Sequence, residues 1–353
     1  MRIAFVSFET VFHRESETNR RLQTVLESLR DRGHEIHVCC AQFWDGEHAT
    51  FEREEITYHG VSGGLEARTA FVVRLPFTLR AIGPDVIQAN AEPPGQVRAA
   101  AAGSMVARAP LLVEWYGADG IPDERPYRSA ARRGDRIVVP SEFVSTRVQE
   151  LGGDGGRIEI VPNPIDVDRI RSQEPGERAD VVYARRLDEG ANLESLLLGL
   201  AELRDREWRA TILGDGPERE TYETLASDLR IDDRLTFAGE TTRDERIAAY
   251  RGAHVFAQTA THCVFPTEML WALASGCVGI VEYHRHSSAH ELVEGWDRGF
   301  RTTSEQELAD AILDAGDLEH RDFDERFADF DRSTVLDRYL ELYRTLRDDS
   351  GIL

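Results

Sequence analysis

The stretch of sequence that decides the fold is CVFPTEMLWALASGCVGIVEYHRHSSAHELVEG, residues 263–295. It contains an apolar helical segment that ends at Gly276, then a short aliphatic run, VGIVEY, and then a polar turn before a second helical start. A short continuous aliphatic run that follows a helix is typical of a parallel strand covered on both faces. The stretch therefore predicts an α/β domain with a doubly wound sheet.

The same alternation of helical segments and aliphatic runs extends over the whole chain. A segment rich in proline, glycine and charge, PNPIDVDRIRSQEPGERA, interrupts it and indicates an inter-domain linker. The sequence predicts an α/β fold of two doubly wound Rossmann-like domains facing a cleft, over residues 1–165 and 166–330, with a last amphipathic helix within 331–353. The aliphatic runs are RIAFVSF, HEIHVCCA, PDVIQAN, PLLVEWYG, DRIVVPS and RIEIVPN before the linker, and DVVYARR, RATILGDG, LTFAGE, HVFAQTA and VGIVEY after it.

The chain is strongly acidic, with 64 Asp and Glu residues against 42 basic residues and a formal net charge of -22. All of the basic residues are arginine, because the sequence contains no lysine. Such a charge repels nucleic acid at long range, so we expect no nucleic-acid partner. The acid excess without lysine is typical of halophilic proteins that work in molar salt, where screening is nearly complete. A GC-rich genome that favours arginine codons is the alternative interpretation.

Cysteine usage and the lack of targeting patterns bear on the cellular location. The four cysteines form no CxxC pair and predict neither a disulfide framework nor a zinc site. The chain opens directly with a strand, and no apolar run approaches the roughly 20 residues needed to span a bilayer. We expect a cytoplasmic protein, and peripheral contact with the inner face of a membrane stays open.

Ligands of open α/β sheets bind at the carboxyl ends of the strands, so residues that follow a strand are the candidates. Arg185 and Arg186 follow the first strand of the second domain, where two guanidinium groups suit a diphosphate. A surface pair neutralised by nearby acids is the alternative. Gly214, Asp215 and Gly216 form a turn before a helix whose N–H groups would face an anion. A strand-to-helix turn needs such residues in any case.

The helix that begins near residue 266 supplies two more candidates. Thr267 is the predicted N-cap, and Glu268 lies in the first turn, where the helix dipole stabilises a carboxylate. We predict that Glu268 accepts hydrogen bonds from sugar or ribose hydroxyls. The alternative is that it only stabilises the start of the helix.

Taken in order along the chain, these motifs resemble glycosyltransferase family 4, whose members have the GT-B fold. The resemblance is carried by RR, GDGP, RLTFAG, ALASG and a glutamate across residues 185–291, by GPDVIQAN and PLLVEWYGAD in the first domain, and by RSTVLDRYLELYRTL near the end. It implies that the last helix crosses back to the first domain. It implies a retaining hexosyltransferase that moves a sugar from a nucleoside diphosphate sugar to a hydroxyl of a glycan, a lipid carrier or a small molecule. It further implies that no cofactor and no metal ion are required.

The chain departs from the family pattern at the donor site. Where the family has two glutamates separated by seven residues, this sequence has Cys263 and Trp271, and the family's lysine falls near Ala191. Arg186 matches the family's arginine, and we expect the carboxylate role to move to another acid. We therefore predict catalytic roles for Arg186 and Glu268. The predicted donor-binding residues are Arg185, Arg186, Gly214, Asp215, Gly216, Thr267, Glu268, Glu282 and Glu291.

Polar residues that follow strands of the first domain are the candidates for binding the acceptor. We predict that His13 orients an acceptor hydroxyl, with a solvated loop as the equal alternative. Asn90 and Tyr116 take the places of the family's histidines, and Asp119 matches a pocket-side aspartate of the family. The histidines of HRHSSAH match no standard zinc spacing, so no metal site is predicted.

Other functions stay open alongside glycosyl transfer. One is a catalytically inactive GT-B binding or partner subunit, because both donor glutamates are replaced. Another is a different GT-B enzyme, such as a sugar-nucleotide epimerase. A phosphorylase is excluded, because pyridoxal phosphate requires a lysine and the chain has none.

Overall fold

The computed structural model describes residues 1–117, 121–349 and 351, and the chain divides into two units. The first unit comprises Met1–Asn163 and Arg332–Leu353, and the second comprises Pro164–Asp331. The chain passes between the units twice, and the two passages are joined inside the second unit. There the backbone N–H of Ile165 donates to the carbonyl oxygen of Phe330 at 2.9 Å.

The first unit alternates strands and helices around a mostly parallel sheet. Its elements before the second unit are β1 (Arg2–Val6), α1 (Glu17–Asp31), β2 (Glu35–Ala41), β3 (Thr50–Arg53), β4 (Ile56–Ser62), α2 (Arg68–Ile82), β5 (Val86–Asn90), α3 (Pro94–Ala107), β6 (Leu111–Glu114), α4 (Arg125–Ala131), β7 (Arg136–Val139), α5 (Glu142–Glu150) and β8 (Ile158–Ile160). Over the described residues the strand order is β3-β4-β2-β1-β5-β6-β7-β8, and only β3 and β4 pair antiparallel. The central strands are aliphatic and buried on both faces, as their unbroken hydrophobic runs predict.

The second unit repeats this architecture with a fully parallel sheet. Its elements are α6 (Val167–Ser172), β9 (Ala179–Ala184), α7 (Leu193–Glu202), β10 (Ala210–Leu213), α8 (Arg219–Asp228), β11 (Leu235–Gly239), α9 (Arg243–Gly252), β12 (Ala253–Gln258), β13 (His262–Cys263), α10 (Thr267–Ala274), β14 (Val278–Glu282), β15 (His286–Ser287), β16 (Gly299–Thr302) and α11 (Glu305–Ala315). Within the described residues the main sheet has the order β11-β10-β9-β12-β14-β16, and β13 and β15 form a separate short pair. The predicted fold class, α/β with two Rossmann-like domains, is confirmed.

The predicted linker, residues 162–179, contains the passage between the units at Asn163 and Pro164, but its middle is a helix, α6, and the prediction is wrong there. Helix α6 begins after Asp166, whose carboxylate accepts a hydrogen bond from the N–H of Arg169 at 2.9 Å. Val167 and Ile170 lie three positions apart on this helix and are buried in the apolar core of the second unit. The apolar spacing therefore outweighs the proline, glycine and charge that indicated a linker.

The last helix, α12 (Arg332–Asp349), belongs to the first unit and is fixed there by a buried polar network. Arg21 donates to Glu114 at 2.5 Å, to the side chain of Asn163 at 2.5 Å and to Tyr339 at 2.7 Å, and Tyr339 also donates to Glu114 at 2.8 Å. Burial lowers the pKa of Arg21, but the neighbouring Tyr339 and Glu114 outweigh it and raise the pKa above its ordinary value. A charged pair this deeply buried is stable only with such complete hydrogen bonding.

The helices and the cysteines bear on membrane spanning and on disulfide bonding. None of the described helices is both long enough and apolar enough to cross a membrane. The four cysteines are buried free thiols, and burial raises the pKa of Cys277 to about 12.

Candidate functional site

The loops that follow β9 and β10 interlock at the carboxyl edge of the second unit's sheet. Gly214 has a φ of +118°, and a Cβ there would lie 2.1 Å from the carbonyl oxygen of Arg185. A Cβ on Gly216 would lie 2.2 Å from the carbonyl oxygen of Leu187. Only glycine fits at either position, because both backbones come into direct contact. The GDG turn therefore fixes the path of the segment that carries Arg185 and Arg186.

The side chain of Asp215 stabilises this turn. The carboxylate of Asp215 accepts from the N–H of Gly216 at 2.7 Å and from Arg219 at 3.2 Å. Helix α8 starts at Arg219, and the side chain of its N-cap residue, Glu218, makes no capping hydrogen bond. The carboxylate thus shapes the turn and pairs with its own helix.

Two guanidinium groups, of Arg185 and Arg186, lie at the end of β9, and neither forms an ion pair with an acid among the described residues. Arg186 is exposed, and over the described residues its side chain has no hydrogen-bond or ion-pair partner. The Nε atom of Arg185 is buried and also lacks a partner there, although Asp188 is three positions away. A ligand could supply the missing acceptor, although Oδ1 of Asp188 is also buried without a partner among the described residues. The predicted alternative, a surface pair neutralised by nearby acids, stays a prediction, and the absence of an ion pair among the described residues favours the diphosphate interpretation over it.

Glu268 is held by three side chains of its own unit. Its two carboxylate oxygens accept hydrogen bonds from Arg243 at 2.8 and 3.1 Å, from Arg246 at 3.0 Å and from the hydroxyl of Tyr250 at 2.6 Å. Burial raises the pKa of Glu268, but Arg243 and Arg246 outweigh it and hold the pKa below its ordinary value. Four bonds fill the acceptor positions that a carboxylate offers. The catalytic role of Glu268 stays a prediction, and the contacts favour a structural one.

The start of helix α10 differs from its prediction. Pro266 is the N-cap, and Thr267 is the first helical residue, so the predicted capping by the Thr267 side chain is wrong. Proline before the first turn supplies a favourable φ angle but no side-chain acceptor. The orphan N–H groups of the first turn are therefore not capped by the residue that precedes the helix.

The two residues that replace the expected glutamates are both part of the protein interior. Trp271 is 7% exposed and lies in the apolar core, with the guanidinium carbon of Arg243 4.8 Å from its ring centre. Cys263 is 8% exposed, and its carbonyl oxygen accepts from the N–H of Ser288 at 2.8 Å. Arg243 thus lies between Trp271 and Glu268 and stabilises both by cation–π and ionic contacts.

Glu282 lies at the carboxyl end of β14 beside an asparagine in the left-handed conformation. Its Oε2 accepts from Nδ2 of Asn192 at 3.1 Å, and its Oε1 lies 3.6 Å from Nε2 of His284. Asn192 has a φ of 49° and also donates to the carbonyl oxygen of Thr259 at 3.0 Å. Oε1 of Glu282 therefore keeps acceptor capacity, unlike the oxygens of Glu268. Glu291 lies in a one-turn 3₁₀ helix over Ala289–Leu292.

The histidine run does not assemble into a metal site within the described chain. His290 contacts the carbonyl oxygen of Ser287 at 3.1 Å and the ring of Tyr283, while His286 is exposed on β15. No three His, Cys, Asp or Glu side chains among the described residues are placed to hold one ion.

The first unit contains a polar pocket of about 190 Å³ at the carboxyl ends of β1 and β5. Asn90 lines it, as predicted for an acceptor-side residue, and its side chain donates to Ser7 at 2.8 Å. The wall carries both carboxylates and guanidinium groups, which suits a polyhydroxylated or charged ligand. The wall is formed by Ser7, Glu9, Arg14, Ser16, Thr18, Asn19, Arg68, Asn90, Glu92, Pro93 and Tyr127.

Two other acceptor-side candidates point elsewhere. His13 accepts from the N–H of Thr10 at 3.1 Å and packs edge-on against Phe43, and burial lowers its pKa. Tyr116 is buried, and its hydroxyl accepts from Asn163 at 2.9 Å. Neither side chain lines the pocket. Asp119 lies outside the described residues.

Sequence reasoning missed several residues of this pocket. Arg68 is the first residue of α2 and Tyr127 lies in α4, both far along the chain from Asn90, and no local pattern links them to it. Glu9 and Arg14 lie in the polar loop after the first strand, which the sequence predicts to face the acceptor, but it predicts no role for either. Their pairing at 3.3 Å across that loop is a tertiary feature.

The chain has two α/β units, and the strands within each sheet are parallel apart from the β3–β4 pair. Each unit carries polar groups at the carboxyl ends of its strands, as the domains of GT-B proteins do. The family model for Glycosyltransferase Family 4 matches residues 18–169, and the family model for Glycosyl transferases group 1 matches residues 164–332. The chain belongs to the glycosyltransferase family 4 type of GT-B proteins, which confirms the predicted resemblance.

Individual relatives match this chain over part of their length. It is 31% identical over 147 residues to the GDP-mannose-dependent alpha-(1-6)-phosphatidylinositol monomannoside mannosyltransferase of Mycobacterium tuberculosis. The aligned region covers 37% of this chain and 38% of the relative. It is 27% identical over 226 residues, or 60% and 64% of the two chains, to the lipopolysaccharide core biosynthesis glycosyltransferase LpsE of Rhizobium meliloti. HepE of Anabaena, solved in complex with UDP, has the same fold with a TM-score of 0.77 and 18% identity, over 98% of this chain and 100% of HepE.

Proposed function

We propose that this protein is a retaining glycosyltransferase that moves a hexose from a nucleoside diphosphate sugar to a hydroxyl acceptor. The observation that carries the proposal is the buried Nε of Arg185, which lacks a partner among the described residues at the carboxyl end of β9. A diphosphate would supply the missing acceptor there. The UDP bound to HepE and the GDP-mannose dependence of the mycobacterial relative support a nucleotide-sugar donor.

In the proposed reaction the bond between the anomeric carbon and the diphosphate oxygen breaks. The acceptor oxygen forms a new bond to the same carbon on the same face, and its proton passes to the departing diphosphate. Negative charge grows on the diphosphate in the transition state, and stabilising that charge is the main task of the protein. Arg185 and Arg186 are fixed by the GDG turn and meet that need without rearrangement. No required cofactor or metal ion is part of the proposal.

The hydroxyls of the donor also need acceptors in the second unit. Glu268 offers no free acceptor position, since Arg243, Arg246 and Tyr250 fill them. Glu282 keeps capacity at Oε1, and we assign it the role of holding a donor hydroxyl. Thr267, at the start of α10, remains a donor-binding candidate through its backbone position.

The acceptor is proposed to bind in the polar pocket of the first unit. Asn90 and the charged groups of the wall would hold a glycan, a lipid-linked sugar or a small polar molecule by its hydroxyls. Location in the cytoplasm stays a prediction.

The test uses the full chain in molar KCl and a panel of UDP-, GDP- and ADP-sugars. Binding is followed by thermal shift and calorimetry, and slow donor hydrolysis by release of the nucleoside diphosphate, each with and without a chelator. Arg185→Ala and Arg186→Ala are compared with Arg204→Ala, at an exposed arginine that follows the end of α7. We expect one donor to bind and to be hydrolysed, and each of the first two variants to lose about tenfold to a hundredfold, a common cost of losing a charged hydrogen bond.

Absence of binding for every donor would overturn the proposal. Loss of activity on chelation would overturn the metal-free part of it.

A second function is favoured by a specific observation. Trp271 and Cys263 are built into the interior, and Glu268 is saturated, so the donor site has fewer acceptors than its arginines suggest. A non-catalytic GT-B subunit that binds a nucleotide sugar without transferring it fits this site. Donor binding without hydrolysis or transfer to any acceptor would favour that function over catalysis.

A further inference from the structure

Two neighbouring helices of the first unit differ sharply in charge from the rest of the chain. Residues 67–84 and 93–113, which contain α2 and α3, include no aspartate or glutamate, whereas acids outnumber arginines in the chain as a whole. Five arginines lie on these helices or at their ends, and all five are exposed. Within the described chain none of them pairs with a carboxylate. They are Arg68, Arg74, Arg80, Arg98 and Arg108.

The same helices expose large apolar side chains. Phe77 is 72% exposed and Val73 is 60% exposed on α2, and Met105 is 76% exposed near the end of α3. The buried face of α2 carries Phe71 and Leu75, so the helix is apolar on opposite sides. Residues 73, 77 and 80 follow helical spacing and point away from that buried face. An outward face that combines apolar side chains with arginine is uncommon on a monomeric soluble domain.

The two helices form one continuous surface, because they pack directly against each other. Leu79 of α2 approaches Gly103 so closely that a Cβ there would lie 2.4 Å from it, and Val72 lies beside Gly95 in the same way at 3.7 Å. Arg80 donates to the carbonyl oxygen of Val106 at 3.0 Å and links the ends of the helices. We call the exposed residues of α2 and α3 the α2–α3 face.

We propose that the α2–α3 face docks on an anionic lipid surface. Exposed phenylalanine, valine and methionine would enter the boundary between headgroups and acyl chains, and the arginines would contact lipid phosphates. The charge is complementary only locally, since the whole chain carries -22 and is repelled by anionic surfaces elsewhere. That contrast would orient the protein with this one face toward the membrane.

A second copy of the chain is a poorer occupant for the same face. In a twofold contact each arginine on α2 and α3 would lie near the same set on the partner, with no acid on either helix to neutralise it. Nucleic acid would pair with the arginines but not with Phe77, Val73 and Met105. Lipid matches both the charge and the apolar side chains.

The face begins at the pocket of the first unit. Arg68, the first residue of α2, lines the pocket, and so do Glu92 and Pro93 directly before α3. Docking would place the pocket mouth near the headgroups. Resting on the proposed transferase function, this favours an acceptor whose hydroxyl belongs to a membrane lipid or a lipid-linked sugar.

Vesicle binding tests the docking without any donor or acceptor. Co-sedimentation of the full chain is measured with vesicles of phosphatidylcholine alone and with equal parts of phosphatidylglycerol, in low salt and in molar KCl. The variant Val73→Ser/Phe77→Ser removes the apolar part, and Arg74→Glu/Arg98→Glu reverses part of the charge. Matched controls in the second unit are Leu313→Ser, at a side chain that is 40% exposed, and Arg204→Glu, at an exposed arginine.

We expect binding to the anionic vesicles, lowered at least about tenfold by Val73→Ser/Phe77→Ser in both salts. We expect Arg74→Glu/Arg98→Glu to lower binding about tenfold in low salt and much less in molar KCl, where charges are screened. Both controls should bind like the unmodified chain.

Three outcomes would overturn the proposal. The first is that the unmodified chain does not bind the vesicles at all, and the second is that Val73→Ser/Phe77→Ser binds them as well as the unmodified chain. The third is self-association in analytical ultracentrifugation that Phe77→Ser abolishes, which would assign the face to a second copy. Because these experiments contain no nucleotide sugar, their failure is separate from a failure of the proposed transfer reaction.

Discussion

Arg243 holds Glu268 with both of its terminal nitrogens, which lie 2.8 and 3.1 Å from the two carboxylate oxygens. The same guanidinium group packs over the ring of Trp271. One arginine therefore connects the most prominent acid of the predicted donor motif to the tryptophan that replaces a family glutamate. The rearranged motif is a coherent packing unit, and its stability and its chemistry can be measured separately.

Glu268→Gln should destabilise the second unit more than it affects chemistry. It leaves Arg243 and Arg246 partly buried without their carboxylate, which costs about 3 kcal/mol for a pair of this kind. Because the pKa of Glu268 is held below its ordinary value, its contribution is present at neutral pH and is lost as the pH falls through that lowered pKa. Denaturant unfolding of both proteins measures the difference.

The matched control for this change is Glu325→Gln, which breaks the exposed pair with Arg171 and should shift stability by less than about 0.5 kcal/mol. A hundredfold loss of turnover in Glu268→Gln with unchanged stability would instead assign Glu268 a catalytic role.

Gly216→Ala should weaken donor binding without touching the donor. Its new Cβ would lie 2.2 Å from the carbonyl oxygen of Leu187, so the segment that carries Arg185 and Arg186 must shift. Loss of the charged hydrogen bonds made by either arginine corresponds to about tenfold to a hundredfold in affinity. Calorimetry with the donor identified from the panel measures the loss.

Gly63→Ala is the control for this prediction, because a Cβ there meets no atom within 4 Å and its φ is not positive. Unchanged donor affinity in Gly216→Ala would show that the two loops do not depend on each other.

His59 should make the protein less stable in mild acid. Burial, and then the neighbouring His37, lower the pKa of His59 to about 4, whereas an unfolded histidine titrates at about 6.5. Between these values the unfolded chain binds a proton that the folded chain does not. The contribution of neutral His59 to the free energy of unfolding is therefore complete above about pH 6.5 and is lost as the pH falls toward 4.

His59→Gln removes this proton uptake, so its unfolding free energy should fall less steeply over the same range. His48→Gln, at an exposed histidine, is the control. Parallel pH profiles for His59→Gln and the unmodified protein would contradict the prediction.

Salt should stabilise the protein, if its composition reflects a halophilic origin. Self-repulsion of a chain with 64 acids and 42 arginines falls as ions screen it. The melting temperature should rise steadily from about 0.1 M KCl to molar KCl, as measured by calorimetry. A melting temperature independent of KCl would favour codon usage as the cause of the missing lysine.

The sequence predicts the architecture well because its signals are local. The run VGIVEY becomes β14, and the glycines of ILGDG are required by contacts that a strand-to-helix turn makes by itself. The contacts of Glu268 are different in kind. Positions 243, 246 and 250 share one face of α9, a spacing visible in the sequence, but which side chain meets that face depends on how α9 packs on α10.

The acceptor side shows the same limit more strongly. His13 and Tyr116 follow strands, as a pocket residue should, yet their side chains turn toward Phe43 and Asn163. The direction of a side chain after a strand is set by its neighbours in space, and these come from distant parts of the chain.

The buried pair Arg21 and Glu114 should be the strongest single determinant of how α12 stays attached to the first unit. Arg21→Met leaves Glu114 charged and buried with only its uncharged donors, Gln88 and Tyr339, a change that costs about 3 to 5 kcal/mol. Glu114→Gln likewise leaves the charged Arg21 buried without its carboxylate partner. The double variant removes both charges, so it should cost less than the sum of the single changes, with a coupling of about 1 to 3 kcal/mol.

Denaturant unfolding of the four proteins gives the coupling, and limited proteolysis at the start of α12 shows whether the helix detaches. The exposed pair Arg169 and Asp244, at 2.7 Å, supplies a control cycle in which the coupling should stay below about 0.5 kcal/mol. Additive effects for Arg21 and Glu114, or an unchanged cleavage rate near residue 332, would mean that the apolar side chains of α12 alone hold it in place. In that case the network that joins Arg21, Glu114 and Tyr339 would stabilise the interior of the sheet and contribute nothing to docking the last helix.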